Sequence, residues 1–315
     1  MVNKIKMEQY PIPILFIIFR RKDVALRSFE RIKSIKPSKL YIACDGPRNN
    51  VEGEKKLVEA TREAILNQVD WDCKVKTLFQ KENLGCSLGV YTAINWLFEN
   101  EEHGIILEDD CVVQCSFFPF VKELLEKYKD DERIGMIAGT NQIAKKCKMT
   151  SSYCFSKYAA CWGWATWKRA WANMDLNMLF LKKHKNDVLS SRGYHAKENR
   201  RWNYQLKMIK HNYVSAWDWQ WYFSLASQNQ LCIFPKVNLV SNIGNDKEAT
   251  HTGMGNIYIE SKDIDFPIIH PYYIMPNECF DKEFYRADNT FIKKFKRYIP
   301  YNVKKILKKI IATLK

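Results

Sequence analysis

Ile105-Ile106-Leu107-Glu108-Asp109-Asp110 is the stretch that decides the fold, because a short apolar run leads there directly into three acids. A run of this kind, bounded by polar segments, is typical of a buried strand. In open parallel sheets, ligands bind outside the carboxyl ends of the strands. The three acids therefore follow a strand at the position where such a sheet would meet its ligand.

The segments around this stretch alternate apolar runs with amphipathic ones. The predicted strands are residues 14–19, 40–44, 73–79, 105–107 and 134–138. The predicted helices are residues 23–33, 54–69, 88–98 and 116–129, with Asp23 and Ser116 as candidate caps. This alternation predicts an α/β fold, a mostly parallel sheet with helices on both faces.

The alternation of strands and helices does not continue after Gly139. We interpret the second half of the chain as a substrate-side elaboration of the same sheet. An aromatic helix is expected around residues 217–227. Trp164, Trp167 and Trp171 recur at helical spacing, and we interpret them as core residues.

Composition places the chain among globular proteins and excludes disorder, collagen and low complexity. The 315 residues are 46% hydrophobic, 14% aromatic and 27% charged. No apolar run approaches the roughly 18 residues of a membrane span. The longest run, residues 14–19, is expected to be a buried strand and not a signal peptide. Ten cysteines without a CxxC motif favour reduced, packed thiols and a cytosolic compartment.

The net charge of +15 is concentrated at the C-terminus. Residues 291–315 contain nine Lys or Arg and no acid, leaving +6 for the rest of the chain, which argues against nucleic acid as a partner. Residues 303–314 place apolar side chains at i, i+3 and i+4 with lysines between them. This basic amphipathic helix fits an anionic membrane surface, and a solvated or partner-packed helix is the alternative.

The acidic triplet suits a divalent cation. Three adjacent acids repel one another unless a cation or a donor-rich ligand offsets the repulsion. Carboxylate oxygens suit magnesium or manganese, which usually complete their shell with substrate phosphates and water. A solvated acidic turn is the alternative, and the preceding strand favours the functional interpretation.

Three further positions could carry chemistry. Asp218 lies among three tryptophans in residues 216–221, where poor solvation would make it a better proton acceptor, or it could cap a helix. His251 lies in a late loop and could contact phosphate or a metal, or satisfy a local hydrogen bond. Arg20 and Arg21 follow the first strand and could pair with phosphate, or be ordinary surface arginines.

Several of these segments occur together, in one order, in a known family. They are Ile14–Arg21, Tyr41–Gly46, Asn83-Leu84-Gly85, Ile105–Asp110 followed by Phe117-Phe118, Trp162-Gly163-Trp164 and Trp217-Asp218. The chain resembles the nucleotide-diphospho-sugar transferases of the GT-A fold over residues 11–255. It is most similar to bacterial surface-polysaccharide glycosyltransferases and, more distantly, to the N-acetylglucosaminyltransferase I type.

The resemblance implies roles for the acidic triplet and the base-binding end. Asp110 would bind a manganese (or magnesium) ion that bridges the donor diphosphate. Asp109 would face the ribose or the metal shell, and Glu108 the donor sugar. Asp45 would accept from the nucleobase, uracil, with Arg21 nearby.

It also implies the catalytic base and the diphosphate loop. Asp218 matches the base of inverting members, although the relatives show paired acids there and this chain has one. His251 matches a loop near the diphosphate. The implied activity is transfer of a sugar from a UDP-linked donor to a glycan or lipid-linked glycan, in lipopolysaccharide or capsule synthesis on the cytoplasmic face of the plasma membrane.

The expected organisation is a transferase domain, a connection and a tail. Residues 1–260 would form the GT-A domain, with the nucleotide sugar bound by 11–140 and the acceptor by 141–260. Residues 261–290 would be an irregular connection and 291–315 the basic tail.

Two other functions fit parts of the sequence. A sugar-phosphate nucleotidyltransferase also uses a metal-binding acid, but would carry a Gly-rich loop where this chain has Arg20-Arg21-Lys22. A non-catalytic glycan-binding protein would use the tryptophans, but would not need the triplet, Asp45 and Asp218 together.

Overall fold

A computed structural model describes residues 9–192, 196–211, 217–244 and 260–288, and no side chain of residues 196–200 or of residue 288. The strands within those ranges are β1 (Ile14–Ile18), β2 (Lys39–Cys44), β3 (Lys74–Phe79), β4 (His103–Glu108), β5 (Cys111–Val113), β6 (Ile134–Ala138), β7 (Tyr153–Ser156), β8 (Trp164–Trp167), β9 (Leu231–Pro235) and β10 (Val240–Asn242). The helices there are α1 (Lys22–Ile35), α2 (Glu54–Leu66), α3 (Gly85–Asn100), α4 (Phe117–Lys127), α5 (Lys168–Trp171), α6 (Leu181–Arg192), α7 (Ala196–Lys210), α8 (Asp218–Ser227) and α9 (Glu278–Asp288).

One large sheet forms the centre of the molecule, with strand order β3-β2-β1-β4-β8-β6-β9-β7. Strands β3, β2, β1 and β4 are parallel neighbours, β6 and β9 pair in parallel, and β8 and β7 are antiparallel to their partners. The predicted α/β architecture with a mostly parallel sheet is therefore confirmed. Strands from both predicted halves of the chain lie in this one sheet.

Hydrophobic side chains cover both faces of the sheet. Alternate residues of β1 point to opposite faces, as the pleat requires. Ile14, Phe16 and Ile18 pack in the core with α1, α2 and α4, whereas Leu15 packs with α3, α6 and α8 on the other side. Strands buried on both faces explain why β1, β2 and β4 are continuous apolar runs in the sequence.

The sequence analysis and the structure differ in local detail. Trp164 and Trp167 are core residues, as expected, but they lie on strand β8 and not on a helix. Helix α1 begins at Lys22 with Arg21 at the N-cap position, and neither Asp23 nor Ser116 caps a helix through its side chain. Ser116 Oγ instead accepts a hydrogen bond from the backbone N–H of Ile264 at 2.9 Å.

Elements without a clear sequence signal appear in the second half. The described residues of the basic stretch 182–201 lie in α6 and α7, although the sequence of this stretch shows no helical periodicity of apolar residues. Residues 261–290, expected to be irregular, contain α9. Phe280 and Phe284 recur at helical spacing on this helix. Both pack on the side of the sheet that holds Leu15, α3, α6 and α8.

Some predictions fall on residues that the structure does not describe. His251 and the basic tail 291–315 both lie outside the described ranges. Among the helices that are described, none has the length and apolarity needed to cross a membrane. All ten cysteines are free thiols, and five of them are buried.

Candidate active site

A cavity of about 530 Å³ opens outside the carboxyl ends of β1, β2, β3 and β4. The chain runs outward from β1 to β2 and β3 and then returns to β4 on the other side of β1, so the strand order reverses between β1 and β4. Such reversal points are where open α/β sheets bind ligands. Six of the seven residues predicted for the site line this cavity: Arg21, Asp45, Glu108, Asp109, Asp110 and Asp218.

Arg21 pairs with two acids of the triplet across the reversal point. Its Nη2 donates to Asp109 Oδ1 at 2.7 Å and to Asp110 Oδ2 at 3.0 Å. Burial by itself lowers the pKa of Arg21, but the two carboxylates outweigh burial and raise it. Arg21 is therefore a fixed positive charge beside the acids, and it is not an ordinary surface arginine.

The Asp110 carboxylate is held from a second direction by residues that the sequence analysis did not identify. Strand β10 pairs antiparallel with β5, directly after the triplet. Asn242 at the end of β10 donates from Nδ2 to Asp110 Oδ1 at 3.1 Å. A Cβ on Gly244 would lie 2.0 Å from Asp110 Oδ2, so only glycine leaves room for this carboxylate. No local pattern marks Asn242 or Gly244, because their role depends on strand pairing.

Crowding and burial change how two of the acids titrate. The pKa of Glu108 is raised to about 8 by burial and by the charges of Asp110, Asp109 and Asp218. The pKa of Asp109 is raised to about 6, mainly by burial, with Arg21 opposing the shift. Repulsion from the neighbouring acids therefore favours the protonated form of Glu108, and a bound cation would offset that repulsion.

The Asp45 carboxylate anchors the loop that leads into α3. Its Oδ1 accepts from the backbone N–H groups of Gly46 and Leu84, each at 2.8 Å. Its Oδ2 accepts from the N–H of Gly85 at 2.9 Å and from Asn83 Nδ2 at 3.0 Å. These four bonds fill the usual acceptor positions of a carboxylate. Base recognition by Asp45 remains a prediction, and a base accepted directly would replace one of these bonds.

Two further arginines line the same cavity and share one buried carboxylate. Glu54, which is fully buried, accepts from the backbone N–H of Arg48 at 2.7 Å and from the Arg48 guanidinium. Arg20 Nη1 lies 3.4 Å from Glu54 Oε1. The hydrogen bond from Arg48 holds the pKa of Glu54 below its usual value, with burial opposing. The sequence analysis did not identify Arg48 and Glu54, because the spacing of residues after Cys44 does not indicate which of them pair.

Asp218 reaches the cavity from the second half of the chain. It is the first residue of α8, after Trp217 at the N-cap position. Trp217 stacks on Trp164 with ring centroids 5.6 Å apart, and this buried contact fixes the start of the helix. Asp218 is half-buried there, and Trp217 beside it is buried. Asp218 also borders a second cavity, which shares this part of the wall.

The acidic residues present fit a hard divalent cation. The described residues include no group of three His, Cys, Asp or Glu arranged to hold a metal without other ligands. In nucleotide enzymes, however, one or two carboxylates commonly suffice, with phosphates and water completing the shell. Asp110 Oδ1 accepts from Asn242 and, at 3.6 Å, from the Cys111 thiol, whereas Oδ2 accepts from Arg21. Oδ2 therefore keeps a lone pair for a cation.

Comparisons with known proteins give only distant structural neighbours. No family model and no curated protein match this chain. A mannosyltransferase from Pyrobaculum calidifontis, solved with GDP-Man and Mn²⁺, is 10% identical with a TM-score of 0.35, over 51% of this chain and 45% of its own. The glycosyltransferase GlyE from Streptococcus pneumoniae is 11% identical with a TM-score of 0.34, over 71% and 45%. A cytidylyltransferase from Leptospira borgpetersenii is 9% identical with a TM-score of 0.34, over 57% and 74%.

This chain thus spans less than half of two of these three structures. Because identities are near 10% and TM-scores lie below 0.5, the function has to be argued from the geometry of the site itself.

Proposed function

We propose that this protein is a metal-dependent glycosyltransferase that moves a sugar from a nucleoside diphosphate to a glycan hydroxyl. The nucleoside diphosphate that we propose is uridine diphosphate. One observation carries the proposal. Acids and arginines from four distant segments meet in a single cavity at the reversal point of the sheet. A donor with a charged diphosphate needs both signs of charge, cationic groups for its oxygens and acids to hold a cation.

The donor would lie along the ends of β1, β2 and β4. Asp110 would hold the manganese or magnesium ion, with Arg21 and Asn242 fixing the direction of its carboxylate. The ion, when bound, supplies positive charge that offsets the charge developing on the leaving diphosphate. Arg20 and Arg48 would face the phosphates or the nucleoside, because Glu54 holds both at the cavity wall.

Asp218 would act as the general base. Its carboxylate takes the proton of the acceptor hydroxyl as the hydroxyl oxygen bonds to the anomeric carbon of the donor sugar. The bond from that carbon to the diphosphate oxygen breaks, and the leaving diphosphate keeps the electron pair. Attack from the face opposite the leaving group inverts the anomeric centre. General-base catalysis of this kind is worth about 10²–10⁴-fold in rate.

The direct test is a thermal-shift screen of nucleotides and nucleotide sugars, with and without manganese. Stabilisation by a nucleotide sugar that requires manganese and disappears in Asp110→Ala is the expected result. In Asp218→Asn, turnover should fall by about 10²–10⁴-fold while donor binding is retained. A near-wild-type rate in Asp218→Asn would remove the base assignment.

The same screen distinguishes the nucleotidyltransferase alternative. Such an enzyme would respond to a nucleoside triphosphate and release pyrophosphate when a sugar phosphate is added. A transferase instead releases a nucleoside diphosphate from its donor. Absence of any metal-dependent response to a nucleotide would contradict both enzyme functions and favour the glycan-binding alternative.

The cellular setting is a proposal of the same kind. We infer that the protein transfers its sugar to a lipid-linked glycan at the cytoplasmic face of the membrane, as a step in the synthesis of a surface polysaccharide. The support is the nine positive charges of residues 291–315 and their amphipathic spacing.

A further inference from the structure

A second cavity, of about 250 Å³, opens beside the first on the side of α7, α8 and α9. Four residues line both cavities: Cys161, Trp162, Asp218 and Trp219. Asp218 therefore lies where the two cavities meet. A base that activates one substrate for attack on another has to be reachable from both.

Seven aromatic residues line this second cavity: Tyr158, Trp162, Trp202, Trp219, Trp221, Tyr222 and Phe284. Trp202 is only 1% exposed, because Tyr222 stacks on it at 4.8 Å and Trp219 meets its edge at 5.7 Å. Trp162 and Trp219 are only half-buried, so part of their surface is accessible. The accessible aromatic surface thus lies next to Asp218.

Charged groups of both signs accompany these rings. Arg201 is 7% exposed, and its guanidinium lies 4.4 Å from the ring centroid of Trp202 and 5.4 Å from that of Trp219. A guanidinium only donates hydrogen bonds, whereas the carboxylate of Asp218 accepts them. Hydroxyl groups do both, so a ligand rich in hydroxyls matches this wall.

We propose that this second cavity is the acceptor site and that it takes one sugar ring, with the apolar C–H face of the ring on Trp162 and Trp219. The inference rests on the proposed function, since Asp218 takes the proton of a hydroxyl that this ring presents. Cavities for drug-sized ligands have volumes of about 300–1,000 Å³, so the smaller volume suits a single ring. Helix α9 closes the cavity through Phe284 and Ala287 and thereby contributes to acceptor choice.

The test fills the cavity without touching the donor side. Ala287→Trp places a large ring in the cavity from α9, and Gln142→Trp does so from an exposed position on its rim. Lys282→Trp is the matched control, because Lys282 is exposed on the same helix and pairs with Glu278 in a surface ion pair. Surface pairs of this kind contribute little to stability.

The readout is saturation-transfer NMR with methyl glycosides of hexoses, N-acetylhexosamines and uronic acids at millimolar concentration. At least one glycoside should receive saturation from the wild-type protein and from Lys282→Trp, and lose it in both cavity-filling variants. Absence of saturation with every glycoside, or an equal signal in all four proteins, would overturn the proposal.

Donor binding separates this inference from the proposed function. Ala287→Trp and Gln142→Trp should keep the manganese-dependent thermal shift of the wild type, which also shows that they fold. If no nucleotide shifts the wild-type protein, the transferase function fails and so does the acceptor role, whatever the glycosides show. If the nucleotide shift persists and the glycosides fail, only the acceptor site is refuted.

Discussion

Gly244 sets the position of the metal-binding carboxylate, and Gly244→Ala should displace it. The added Cβ would lie 2.0 Å from Asp110 Oδ2 and 2.9 Å from Arg21 Nη1. Non-bonded carbon contacts are comfortable at about 3.5–4.0 Å, so the carboxylate would have to move by roughly 1.5 Å. Asp110 cannot move freely, because Arg21 and Asn242 each hold one of its oxygens.

The size of the effect follows from that displacement. Overpacking of this kind costs about 1–3 kcal/mol of folding stability. A misplacement of about 1 Å in a catalytic group can cost on the order of 10²-fold in rate. We therefore expect Gly244→Ala to fold, with kcat/KM lower by about 10²-fold and with weaker manganese binding.

The assay is titration of manganese by electron paramagnetic resonance in the presence of the nucleotide found by screening, together with initial rates. Gly104→Ala is the control, because its Cβ would lie 2.8 Å from Leu97 Cδ2 in the core, away from the acids. It should lose a similar amount of stability and keep manganese binding. Wild-type manganese affinity and rate in Gly244→Ala would refute the reasoning.

Three further predictions concern the acids, the arginines and the tail. The pKa of Glu108 in the folded protein is about 8, above its ordinary value of 4.5. Between these two pH values the folded state holds a proton that the unfolded chain releases. The free energy of unfolding should therefore fall as pH rises from 4.5 to 8. Glu108→Gln should flatten that part of the profile and raise Tm at pH 8 but not at pH 4.5, and parallel profiles of Tm against pH would contradict this. Glu54→Gln should loosen Arg20 and Arg48, weaken nucleotide binding measured by calorimetry and lower stability by about 1–3 kcal/mol, whereas unchanged nucleotide affinity would show that these arginines do not contact the donor. Removal of residues 291–315 should release the protein from membranes in a sedimentation assay, and unchanged sedimentation would refute membrane docking by the tail.

Local patterns were sufficient to predict the first half of the fold. The apolar runs of β1, β2 and β4 depend on residues adjacent in sequence, and those strands formed where they were expected. The second half was harder to predict, because its helices α6 and α7 are strongly basic and polar. Packing of residues such as Leu189 and Trp202 holds these helices in place. Their sequences contain no long apolar stripe that would predict them.

Local sequence patterns are enough to place the acidic triplet after β4, Asp45 after β2 and Arg21 after β1. Which of these side chains meet, and through which partners, depends on the tertiary fold. Pairing of β5 with β10 brings Asn242 and Gly244 to Asp110, although more than 130 positions separate them. Sheet order and helix packing bring Asp218 to the same cavity. Hydrogen bonds and burial act through space, so their partners cannot be inferred from spacing along the chain.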